Sequence, residues 1–137
     1  MQKNTLEYII KDEFDLKKII FQLTPGDRIF FYGDLGVWKS TFIRYLLREY
    51  MKDNTLLVRS PTYTYYQKYN QAYHFDLYRL EDYLTWISIG GEEIQQSLDA
   101  ILLIEWPGIL ENRVTPTKII SIEIIDTGDR KVTISSF

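Results

Sequence analysis

Two four-residue apolar runs stand out along the chain, Ile29-Phe30-Phe31-Tyr32 and Ile101-Leu102-Leu103-Ile104. Runs this short and continuous predict strands buried on both faces. Between them, residues 39–51 carry Phe42, Ile43, Leu46 and Leu47 at helical spacing, which predicts an amphipathic helix. Upstream, residues 6–10 predict a short first strand. Asp12 is placed to cap a helix running to about Leu23, with Phe14, Ile19, Ile20 and Leu23 as its apolar face. Thr24-Pro25-Gly26-Asp27 is turn chemistry, Leu56-Leu57-Val58 predicts a strand, and Ser60-Pro61-Thr62 breaks it. Residues 63–69 and 72–75 flank Asn70-Gln71 as a hairpin, and Tyr63, Tyr65, Tyr66 and Tyr69 divide between its two faces. Residues 80–98 predict helix interrupted at Gly90-Gly91. Residues 118–125 and 130–134 predict a C-terminal β-hairpin around Thr127-Gly128-Asp129. Strands alternating with helices define an α/β fold, expected as a mostly parallel central sheet with helices on both faces. With 137 residues and no repeat or linker, the chain reads as one domain, 1–137.

Composition narrows the function classes. The net charge of -3 argues against direct nucleic-acid binding, which needs a basic face, so any RNA is expected to arrive through a partner. The absence of Cys excludes disulfides and makes a structural zinc site a poor expectation. Residues 1–10 lack the apolar core of a signal peptide, and no apolar run approaches the roughly 20 residues that span a bilayer. The expectation is a cytoplasmic protein without a membrane partner.

The chemistry concentrates after the first buried run. Gly33-Asp34-Leu35-Gly36-Val37-Trp38-Lys39-Ser40-Thr41 lies between a predicted strand and a predicted helix, the context of a phosphate loop. Backbone N–H groups of such a loop and the following helix N-terminus bind phosphate oxygens. Lys39 would set a positive charge on the β- and γ-phosphates, and the Ser40 hydroxyl would ligate Mg²⁺. One position departs from the G-x-x-x-x-G-K-[S/T] pattern: Trp38 stands where the second glycine belongs. Positive φ there would cost a bulky residue roughly 1–2 kcal/mol, and the indole could crowd the phosphates. A strand–turn–helix that binds nothing is the bland alternative.

Glu105 ends the second apolar run, as a Walker-B carboxylate would. Asp76 falls where a strand passes into a helical segment, so it is either a second acid at the metal or a helix cap. Arg79 reads as an ion-pair partner, and His74, the only histidine, as packed or hydrogen-bonded structure. Ser60-Pro61-Thr62 is either a loop that senses the γ-phosphate or a plain turn.

Four segments together resemble the TsaE family, the ATPase of tRNA threonylcarbamoyladenosine synthesis. They are Gly33-Asp34-Leu35-Gly36 with Lys39-Ser40-Thr41-Phe42, Ser60-Pro61-Thr62-Tyr63-Thr64, His74-Phe75-Asp76-Leu77-Tyr78-Arg79-Leu80, and Ile104-Glu105-Trp106-Pro107. The resemblance implies a P-loop NTPase-type domain that binds ATP and Mg²⁺ and hydrolyses ATP slowly. It implies docking onto a TsaB–TsaD heterodimer, with tRNA met only through that complex. By match to the motifs, residues 33–41 would bind nucleotide, with Lys39, Asp76 and Glu105 catalytic. Ser40, Glu105 and Asp76 would serve the metal, and Thr62 would belong to a switch-like loop.

Trp38 departs from this family too. It admits a loss-of-function form, a loop rearranged to accept Trp, or a UGA codon that some bacterial codes read as glycine. Two other functions compete: a non-hydrolysing scaffold subunit of the same complex, and a P-loop small-molecule kinase. The kinase is disfavoured because only Arg113 and Arg130 remain beyond residue 80 for a substrate lid.

Overall fold

The computed structural model describes residues 3–34, 36–61 and 63–137. Its frame is one seven-stranded sheet in the order β1-β7-β6-β2-β5-β4-β3. The strands are β1 (Asn4–Ile10), β2 (Arg28–Tyr32), β3 (Tyr66–Tyr69), β4 (Ala72–Asp76), β5 (Ile101–Glu105), β6 (Lys118–Ile124) and β7 (Arg130–Ser136). The neighbours β6, β2, β5 and β4 run parallel. The pairs β1–β7, β6–β7 and β3–β4 are antiparallel. The sheet is therefore mixed: its central strands are parallel, as expected, and antiparallel strands flank them. The two short turns, Asn70-Gln71 and 125–129, can only reverse the chain, so each adds an antiparallel strand.

Both faces of the sheet are covered, and the apolar runs show why. Ile29 and Phe31 of β2 and Ile101 and Leu103 of β5 enter one core, with Phe42, Ile43, Leu46 and Leu47 of helix α1 (Lys39–Met51). Their alternates Phe30, Leu102 and Ile104 enter a second core on the opposite face, with Phe75, Leu80, Trp86 and Leu110. A period of two sends successive side chains to opposite faces, so a continuous apolar run serves both. Full burial of each such side chain contributes about 1.5–3 kcal/mol before entropy is counted.

Two expected elements differ, and a third keeps its expected interruption at Gly90 in shorter helices. Asp12 does cap a helix, accepting from the Phe14 and Asp15 N–H groups. That helix, however, is a single 3-10 segment, Glu13–Lys18, rather than one reaching Leu23. Leu16 is its buried residue, whereas Phe14 is 64% exposed. Ile19, Ile20 and Leu23 still pack on the first core, from irregular backbone. Leu56, Leu57 and Val58 form no strand; Leu56 and Val58 pack inward and Leu57 is exposed, with no neighbouring strand to pair. The segment 80–98 holds two short helices, α2 (Tyr83–Ser88) and α3 (Gly91–Gln95). Asp82 caps α2 by accepting from Thr85 N, and Gly90 turns the chain between them at φ 93°. Among the described residues, no helix is long and apolar enough to cross a membrane.

Candidate functional site

The parallel strands β2, β4 and β5 end side by side, at Tyr32, Asp76 and Glu105. In open α/β sheets, this carboxyl edge is where ligands bind. The chain leaves β2 through Gly33 and enters α1 at Lys39, so the N-terminus of α1 faces that edge. Gly33 is required by space: a Cβ there would stand 2.6 Å from the Ile122 carbonyl oxygen. Gly36 sits at φ 82°, a backbone region that costs glycine nothing. Leu35 and Thr62, both expected at the site, lie outside the described residues.

Trp38 adopts φ 81° and ψ 21°, the left-handed conformation expected of the glycine it replaces. It stands at the N-cap of α1 with no side-chain cap, although its carbonyl accepts from Phe42 N at 3.0 Å. The first N–H groups of a helix have no intrahelical acceptor, so this end presents donors and a partial positive charge. The half-buried indole packs against the first core, and the Arg130 guanidinium carbon lies 4.0 Å from its ring centroid. Trp38 nevertheless forms one wall of a cleft of about 210 Å³, lined also by Gly36, Lys39, Ser40, Thr41 and Glu105.

Lys39 is buried. Its ammonium donates to the Gly33 carbonyl and lies 3.8 Å from the Trp106 ring centroid. Burial holds the ammonium below the ordinary lysine range, opposed by the negative charges of Glu105, Asp76 and Asp34. It is a desolvated cation at a helix N-terminus, an arrangement that an anion would complement. Trp106, at φ 57°, also packs on Tyr78 with centroids 4.9 Å apart. The sequence offered no signal for this cation–π contact beyond the adjacency of Trp106 to Glu105.

The carboxylates converge. Asp76 and Glu105 are register partners across β4 and β5. Glu105 is buried; its Oε1 accepts from the Ser40 hydroxyl at 3.4 Å and its Oε2 meets His74 Nε2 at 2.7 Å. Asp76 Oδ1 accepts from Tyr78 N at 3.0 Å, so the acid also braces the turn that follows β4. Thr41 donates to Glu13 Oε2 at 3.4 Å, and Val37 is core. Asp34 is exposed and acts on Lys39 through its charge. The structure thus brings together Gly36, Trp38, Lys39, Ser40, Thr41, Glu105 and Asp76, and directs Val37 away. Arg79, expected in an ion pair, has its guanidinium carbon 4.6 Å from the Tyr63 ring centroid instead.

A parallel strand, a glycine-bearing loop and a helix whose N-terminus faces two strand-end carboxylates place the candidate site at the carboxyl edge of an open α/β sheet. The family model described as threonylcarbamoyl adenosine biosynthesis protein TsaE matches residues 10–133, and the chain belongs to that family. It is 36% identical over 137 residues to the TsaE protein of Aquifex aeolicus, covering 93% of this chain and 94% of that one. The Rickettsia felis TsaE protein is 34% identical over 121 residues, covering 84% of this chain and 69% of its own. Both are named as tRNA threonylcarbamoyladenosine biosynthesis proteins. The crystal structure of Bacillus subtilis YdiB shares the fold with a TM-score of 0.73, covering 99% of this chain and 88% of its own at 23% identity.

Proposed function

We propose that this chain is an ATP-binding and ATP-hydrolysing subunit that supports formation of threonylcarbamoyladenosine on tRNA. The observation that carries the proposal is the convergence of Lys39, Ser40, Asp76 and Glu105 where α1 begins and β4 and β5 end. The family's named role in this biosynthesis supports the reading. The partner would be a TsaB–TsaD heterodimer, with tRNA reached only through that complex and without a membrane.

The residues fit a magnesium nucleotide. One hydroxyl and two carboxylates are the hard oxygen donors that Mg²⁺ prefers, and Lys39 is a buried cation at the start of α1. Ser40 and Glu105 would hold the ion, with Asp76 beside them. Bound there, Mg²⁺ would neutralise charge developing on the phosphate oxygens. Lys39 would leave the Gly33 carbonyl for the phosphates. The loop N–H groups from Gly33 to Thr41 would bind the remaining oxygens. Asp76 and Glu105 would orient the attacking water, and Thr62 would read the γ-phosphate. Trp38 keeps the backbone conformation that this loop needs, and its indole has the first core and Arg130 as packing partners.

A second reading is favoured by one observation, that Trp38 still walls the cleft. In it the chain is a scaffold that docks without turnover. ATP hydrolysis measured with and without a TsaB–TsaD pair separates the two. The ATPase reading expects turnover that the pair raises and Lys39→Ala abolishes. The scaffold reading expects docking that is indifferent to nucleotide, and no turnover.

A further inference from the structure

His74 lies on β4 directly opposite Leu103 of β5, two positions before Asp76, and is 1% exposed. The only hydrogen-bond partner of its side chain among the described residues is Glu105, through Nε2 to Oε2 at 2.7 Å. Its other ring nitrogen, Nδ1, is buried with no partner. Glu105 Oε2 is a carboxylate acceptor, so the contact is one that His74 Nε2–H donates.

The consequence is directional. With Oε2 held by His74, the second oxygen of Glu105 is turned toward Ser40, the hydroxyl at the start of α1. Without that bond the glutamate side chain would be free to choose other rotamers. We propose that His74 is a positioning residue: its Nε2–H holds the Glu105 carboxylate so that Oε1 faces the Ser40 side of the cleft. This inference deepens the magnesium-nucleotide reading and rests on it for the catalytic consequence. Partners that orient a ligating side chain typically change activity or metal affinity about 10–100-fold when removed.

The test compares two substitutions of similar bulk. His74→Gln retains an N–H donor, whereas His74→Leu fills the space without one. Thermal unfolding confirms that each variant folds before turnover of magnesium ATP is measured. The expected result is that Leu lowers kcat about 10–100-fold with the KM for ATP little changed, while Gln keeps most of the wild-type rate. Equal rates for Leu and Gln would overturn the inference and leave the ATPase reading standing. If the wild-type chain neither binds nor hydrolyses magnesium ATP, it is the ATPase reading that fails. ¹⁵N NMR of the single imidazole then still decides the inference. A proton on Nε2 whose signal shifts on Glu105→Gln supports it, and an imidazole with its proton on Nδ1 alone overturns it.

Discussion

The Arg130 guanidinium carbon sits 4.0 Å from the centroid of the Trp38 ring, and the tryptophan beneath it holds a backbone conformation ordinarily given to glycine. Arg130 opens β7 and Trp38 ends the loop before α1, so the contact ties the C-terminal hairpin to the candidate phosphate loop. Replacing Trp38 by glycine has opposed effects on stability. It relieves roughly 1–2 kcal/mol of left-handed strain but gives up the half-buried indole and a cation–π contact of about 0.5–1 kcal/mol. Trp38→Gly should therefore change the unfolding free energy by no more than about 1 kcal/mol, measured by urea titration. Magnesium ATP should bind the glycine form more tightly, because the same change widens the cleft.

Lys39→Ala removes the only side-chain cation among the described residues lining that cleft. Losing a charge-assisted contact of about 2 kcal/mol should weaken nucleotide binding about 30-fold or more. Unaltered affinity would discredit the phosphate-loop assignment.

Glu105→Ala should lower ATP turnover far more than ATP binding, by about 100-fold or more in kcat. It also leaves the buried His74 without its partner, at a stability cost of about 1–3 kcal/mol. Glu105→Gln separates these effects, since its amide oxygen can still accept from His74. The glutamine form should remain folded while losing turnover, and an unchanged rate would remove Glu105 from the mechanism. Chelating Mg²⁺ should abolish hydrolysis by the unmodified chain.

Much of this site could be read from residue order alone. The strand–loop–helix context, the two strand-end acids and the anomaly at Trp38 are all local features, and each sits at the carboxyl edge of the sheet or the start of α1. The paired faces of β2 and β5 follow from uninterrupted apolar runs. What the sequence concealed depends on contacts distant along the chain. Glu105 finds His74 across two strands, Lys39 finds Trp106 across the sheet edge, and Arg130 finds Trp38 from the far hairpin. The overlong first helix has the same origin. Ile19, Ile20 and Leu23 are apolar at helical spacing, but packing on the core satisfies them without helix. Leu56-Leu57-Val58 alternates like a strand yet has no partner in the sheet.

Packing around α3 makes a prediction independent of nucleotide. A Cβ added at Gly91 would overlap the indole of Trp86, which is fully buried. Gly91→Ala should destabilise the fold by about 1–3 kcal/mol through overpacking. Gly108, where an added Cβ meets nothing within 4 Å, is the control. Its alanine variant should stay within about 0.5 kcal/mol of the parent in the same unfolding assay.

Acid sensitivity has an identifiable contributor at the start of α2. The backbone N–H and hydroxyl of Thr85 both donate to Asp82 and hold its carboxyl below the ordinary aspartate range. The folded pKa lies below the unfolded one. The stabilisation is therefore present above about pH 4 and is lost as pH falls through the lower folded value. Asp82→Asn keeps a capping oxygen but does not titrate. The difference in stability between neutral and acidic pH should shrink in this variant, as urea unfolding at the two pH values would show.

The most direct test of the central claim is a calorimetric titration of magnesium ATP into this chain, with Trp38→Gly and Lys39→Ala alongside. Saturable one-to-one binding by the chain and by the glycine variant, lost in the alanine variant, is the predicted result. Absence of binding by both the chain and Trp38→Gly would contradict it, because a loop of this geometry would then hold no phosphate even with its glycine restored.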